Sequence, residues 1–178
     1  MPIYSFHNHL PSIEKSSYIA PSADIIGRVK VGKNASLWHQ VVARGDLNDI
    51  IIGDNCNIQD LCILHVVEEL PLIIGKNVSV GHKATLHACT IGDSCLIGMD
   101  STILDGAVIG ENSVVAAGSV VAPGKKFPPG VMIMGAPAKV VRELTPEEKE
   151  GYGNHYKSYC KLKDEFKDPS IVTEIKTS

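Results

Sequence analysis

Aromatic residues make up only 5% of this 178-residue chain. A core built on large rings is excluded at that level, so small aliphatic side chains must do the filling. An excess of one charge is also lacking. The formal net charge of -3 gives no electrostatic reason to expect nucleic acid or an anionic membrane as partner. No apolar run is long enough to span a bilayer. The first eleven residues lack the basic start and apolar centre of a secretory signal, and a cytoplasmic protein is expected. The five cysteines (Cys56, Cys62, Cys89, Cys95, Cys160) show no C-x-x-C spacing and are odd in number. They read as reduced thiols. Neither the 3.6-residue period of a helix nor the two-residue period of a simple strand runs through the chain.

What is present is a period of six. An aliphatic residue recurs at Ile19, Ile25, Val31, Leu37 and Ala43, then Ile52, Ile58 and Leu64, then Ile74, Val80 and Leu86, and then from Ile91 to Val121 without a break. The fifth position of each unit is small, as at Ala23, Ala35, Cys56, Cys62, Ala84, Cys95 and Ser101. Cys56, Cys62 and Cys95 therefore read as core-filling residues rather than ligands or nucleophiles. Six residues per unit fit one side of a three-sided coil of short parallel strands, whose stacked turns bury the aliphatic ladder and need caps at their ends. The expected organisation is an N-terminal cap segment (1–18), a β-helix (19–140), a helix packed on it (145–168) and a tail (169–178). Thr145-Pro146-Glu147-Glu148 carries the helix start as N-cap, first-turn proline and capping-box glutamate.

The period breaks three times. Three residues are extra between Ala43 and Ile52 (nine minus six), and four between Leu64 and Ile74 (ten minus six), at Glu68-Glu69-Leu70-Pro71. One is missing between Leu86 and Ile91. Segments that leave a rigid scaffold tend to carry function, and these breaks border one set of polar residues.

His65 and His87 each follow the aliphatic residue of their unit. They are 22 residues apart, three hexapeptides plus the four-residue insertion. With the insertion looped out they stand one coil apart on one side, about 4.8 Å in strand spacing. The same count places Arg44 one coil earlier. His82 occupies the next position of its unit, on the preceding side, with Asp60 as its ladder partner and Gln59 beside it. Five residues around a corner, at roughly 3.3 Å each, separate His82 from His87 too widely for an easy shared ligand sphere. A neighbouring subunit supplies His82 if three such prisms pack around a three-fold axis. His39 and His155 have no partners in register and read as structural.

Arg44-Gly45-Asp46, Asn57-Ile58-Gln59-Asp60, Leu64-His65, Gly81-His82-Lys83 and Leu86-His87 together resemble the γ-class carbonic anhydrases, hexapeptide-repeat proteins with a left-handed parallel β-helix. The resemblance covers roughly residues 15–140. It implies a homotrimer with interfacial Zn2+ (or Fe2+ or Co2+) held by His65, His82 and His87. It implies reversible hydration of carbon dioxide to bicarbonate by hydroxide made at the metal. By resemblance, Gln59 hydrogen-bonds the reacting oxygen. Arg44 holds bicarbonate or pairs with Asp60 across the interface, and Asp46 orients Arg44. Tyr159 matches a tyrosine that approaches the site from the C-terminal helix. Glu68 matches one of two proton-shuttling acids; the other would follow Asp46, where this chain has Leu47. Other readings on the same fold are a metal-assisted thioester hydrolase, a coenzyme A-dependent acyltransferase and a non-catalytic assembly subunit.

Overall fold

The computed structural model describes residues 3–175. The outer ends of the expected cap and tail, residues 1–2 and 176–178, lie outside the described residues. The chain winds as a left-handed, mainly β solenoid with helical structure after it.

The aliphatic residue of each unit points inward and stacks on its counterpart one coil away. Ile19, Leu37, Ile58, Val80, Ile97, Val115 and Ile133 pair in register along a first side. Ile25, Ala43, Leu64, Leu86, Ile103 and Val121 do so along a second. Val31, Ile52, Ile74, Ile91, Ile109 and Phe127 form the third. All but Phe127 are buried. Each larger side chain so buried contributes about 1.5–3 kcal/mol relative to exposure. The small fifth residues fill the space beneath the corners. Burial pushes the Cys56, Cys62 and Cys95 thiols, and that of Cys89, up to about 12. All four stay protonated at neutral pH, as inert core requires.

The first break in the period is not a loop. Val42–Ile52 runs as one long strand beside Asp24–Val31, and the three extra residues are taken up by a register shift between Gly27 and Val29. Such a bulge bends a strand without ending its pairing. It requires close backbones: a Cβ on Gly27, whose φ is +74°, would lie 2.5 Å from the Gly45 carbonyl oxygen. Two sides of the solenoid are thereby joined into one twelve-stranded sheet, and the first side is a separate eight-stranded sheet. The second break leaves as a loop, held by Asn48 Nδ2 donating to the Glu68 carbonyl at 2.8 Å. The third is a tight corner at Ala88, whose N–H donates to the His65 carbonyl at 2.9 Å.

Residues Ile3–Tyr4 and Ser12–Ile13 pair in parallel with Asp24–Val31 and so cover the first coil's edge. At the other end, Pro146–Gly153 (α1) starts on the Thr145–Glu148 capping box. The helical segment breaks at Asn154–His155, just past the weak helix formers Gly151 and Gly153. It resumes as Tyr156–Lys167 (α2). Tyr159, Leu162 and Phe166 pack this second helix on the core. The ring centroids of Tyr159 and Phe166 lie 5.6 and 4.9 Å from that of Trp38. That contact lays α2 along the first side.

Candidate metal centre

Register puts Arg44, His65 and His87 directly above one another, at the corner where the second side ends. His65 Nδ1 lies 3.0 Å from His87 Nε2. Each ring's other nitrogen meets a carboxylate: His65 Nε2 faces Asp46 Oδ1 at 3.0 Å, and His87 Nδ1 bonds Asp105 Oδ1. A neutral imidazole has one N–H and one lone pair. When each neutral ring donates its one N–H to its carboxylate, two lone pairs are left facing each other. They repel unless a cation lies between them. Carboxylates behind histidines are also the usual support that fixes tautomer and ring orientation in metal ligands. On the chemistry of its donors, the site fits a metal.

Asp46 also pairs with Arg44. Burial alone would raise its carboxyl, but the hydrogen bonds from His65, the backbone and Arg44 outweigh that and hold it below the ordinary aspartate value. Arg44 thus meets Asp46 within the chain, while Asp60 serves His82: His82 Nδ1 and Asp60 Oδ2 are 2.9 Å apart. The His39 backbone N–H donates to the other Asp60 oxygen at 3.2 Å.

His82 stands at the opposite corner of the second side, between Gly81 and Lys83. Among the described residues, no group of three or more His, Cys, Asp or Glu side chains within one chain is placed to hold a metal. The fold therefore brings His65 and His87 together and leaves His82 apart. His82 opens instead on a cavity of about 280 Å³, with Gln59, Tyr159 and His155 among its walls. Gln59 is buried and donates through Nε2 to Asn57 Oδ1 at 3.0 Å. The Tyr159 phenol is pushed above its ordinary value by burial and then by the Asp60 carboxylate, so it remains a hydrogen-bond donor. Glu68 is exposed at the tip of the four-residue loop.

Two groups escaped the sequence reading. Asp105 does not share His87's register position: the next residue, Gly106, donates its N–H to the Ala88 carbonyl at 2.8 Å, and the Asp105 side chain reaches across to His87. His155 reads from sequence as partnerless, yet its Nδ1 lies 3.1 Å from Ser79 Oγ and its ring helps wall the His82 cavity. Its partner is 76 residues away, beyond any repeat arithmetic.

A hexapeptide-repeat solenoid with paired histidines at one corner and a third at the next is the class that fold and site define. Residues 88–123 match the family described as Bacterial transferase hexapeptide (six repeats). The chain is 51% identical over 152 residues to a Methanocaldococcus jannaschii protein named "Probable carbonic anhydrase", covering 85% of this chain and 96% of that one. It is 42% identical to gamma carbonic anhydrase 2, mitochondrial, of Arabidopsis thaliana, over 85% of this chain but only 57% of that protein's length. The crystal structure of a hexapeptide transferase family protein from Anaplasma phagocytophilum superposes with a TM-score of 0.88 at 39% identity, covering 92% of this chain and 96% of that one. The chain belongs to the γ-class carbonic anhydrase-like family of hexapeptide-repeat proteins.

Proposed function

We propose that this protein is a cytoplasmic metal-dependent carbonic anhydrase, interconverting carbon dioxide and bicarbonate at sites shared between subunits of a homotrimer. The observation that carries the reading is the pair of ring nitrogens, His65 Nδ1 and His87 Nε2, 3.0 Å apart with a carboxylate behind each ring. His65 and His87 would hold the metal from one subunit and His82 from the next. Bound there, zinc, iron or cobalt supplies Lewis acidity that brings the pKa of water toward neutrality.

The chain's own groups do the rest. Asp105 and Asp60 fix the tautomers of His87 and His82. Asp46 pins Arg44, whose guanidinium is left half-exposed to meet a bicarbonate anion. Gln59, through Oε1, accepts a hydrogen bond from the O–H of the reacting water or hydroxide, and the Tyr159 phenol stands beside it. Glu68, at the exposed loop tip, hands protons to solvent. The trimer is supported by apolar residues that a lone subunit would leave in water: Ile63 (41% exposed) on the second side, with Leu61 (44%) and Met99 (54%) at the His82 corner. Exposed apolar patches of this kind mark contact surfaces.

Stopped-flow hydration of carbon dioxide, run on zinc-, iron(II)- and cobalt-loaded protein beside a panel of thioesters, tests the reading. One metal per chain and hydration that chelators abolish and metal restores are expected. A metal-replete trimer that cleaves thioesters but does not hydrate carbon dioxide would overturn it. Asp105→Asn should leave the fold intact and weaken metal affinity by about 10–100-fold, read by chelator competition. Unchanged affinity would remove Asp105 from the site.

A further inference from the structure

We infer that His155 is a positioning residue: its neutral ring accepts a hydrogen bond from Ser79 and thereby decides which end of the Gln59 amide faces the cavity. The inference rests on the reading of Gln59 as a group of the site.

A chain of four polar side chains, three of them buried and the last, His155, exposed, runs from Gln59 to His155. Gln59 Nε2 donates to Asn57 Oδ1 at 3.0 Å, and Asn57 Nδ2 donates to Ser79 Oγ at 2.7 Å. Ser79 Oγ then lies 3.1 Å from His155 Nδ1. Asn57, Ser79 and Gln59 are 0%, 1% and 3% exposed, so water is a poor substitute for any of these partners.

Follow the hydrogens. The Asn57 amide nitrogen can only donate, so Ser79 Oγ accepts there. The single Ser79 hydrogen then has one acceptor in reach, His155 Nδ1. His155 must carry its own hydrogen on Nε2. Every bond in the chain points the same way, from Gln59 toward His155. At the far end, Gln59 Oε1 has no protein partner among the described residues and belongs to a side chain that walls the cavity. The cavity therefore meets an acceptor, suited to the O–H of a water or hydroxide.

The opposite sense is also closed. With hydrogen on Nδ1, His155 would donate to Ser79, Ser79 to Asn57 Oδ1, and Asn57 Nδ2 to Gln59 Oε1. The Gln59 amino group would then face the cavity and favour an anion. The two ends of the relay are thus one variable. His155 is held in place for this by the break between α1 and α2, and by Tyr159, whose ring centroid lies 5.7 Å from its own.

Neutron diffraction on deuterated, metal-loaded protein reads the relay directly. Deuterium is expected on His155 Nε2 and on Ser79 Oγ directed at Nδ1, with the Gln59 amino group toward Asn57. Deuterium on Nδ1, or the amino group in the cavity, would overturn the inference. Kinetically, Ser79→Ala and His155→Phe should each lower kcat roughly tenfold, the equivalent of about one orienting hydrogen bond. KM and metal content should not move, and Ser79→Thr should recover the rate. Should the aromatic variant fail to fold, His155→Gln, which again offers an acceptor, is expected to keep a near-native rate. Unchanged kcat in Ser79→Ala and in His155→Phe would also overturn it. The expected deuterium pattern in a protein that hydrates no carbon dioxide would support the relay while counting against the carbonic anhydrase reading.

Discussion

A mixture of His65→Ala and His82→Ala proteins, each inactive alone, should recover about a quarter of wild-type activity once their subunits exchange. The figure follows from cyclic symmetry. An intact site needs His65 from one subunit and His82 from the next around the ring. With equal, random mixing each neighbour is correct about half the time, so about one site in four is whole. The geometry behind the expectation is local. His65 stands over His87 at one corner of the second side, and His82 stands at the other corner, opening on a cavity that neither of them lines. Native mass spectrometry with one variant labelled with nitrogen-15 establishes exchange, and stopped-flow measures recovery. Proven exchange with no recovered activity would show that the site is not shared between subunits.

The second large effect separates two neighbours in sequence. Leu86→Ala should destabilise the fold by about 2–5 kcal/mol. Leu86 is fully buried in the middle of its ladder, between Leu64 and Ile103, and short strands on every side cannot collapse to fill the void. His87→Ala should leave the melting temperature nearly unchanged in metal-free protein. Its side chain is 29% exposed, and its ring nitrogens meet His65 and Asp105. That variant should lose the metal and with it essentially all hydration. Thermal unfolding and metal analysis of the two proteins check both halves. A His87→Ala protein that retains stoichiometric metal would remove His87 from the ligand set.

The six-residue period is enough to align these residues because position in a coil is arithmetic. Counting hexads put Arg44, His65 and His87 on one ladder and His82 over Asp60, and the strand pairing shows the same alignments. What counting cannot reach is tertiary or diagonal. Asp105 meets His87 across a register step, at a corner that has lost one residue. His155 arrives on a helical segment whose docking depends on Tyr159 and Phe166 meeting Trp38. The run from Ala43 to Ile52 breaks the period by three residues. It is strand because Gly27 and Gly45 let the backbones approach closely enough to absorb the extra residues.

The ladders have a last consequence. Along such a prism, outward side chains occupy addresses a strand spacing apart, about 4.8 Å, and three corners wide. A ligand can be relocated by whole rungs or to another edge, but not by fractions of an ångström. The spacing of the backbone positions that carry candidate ligands is therefore fixed, like marks on a ruler, and new chemistry on this scaffold is a matter of choosing marks.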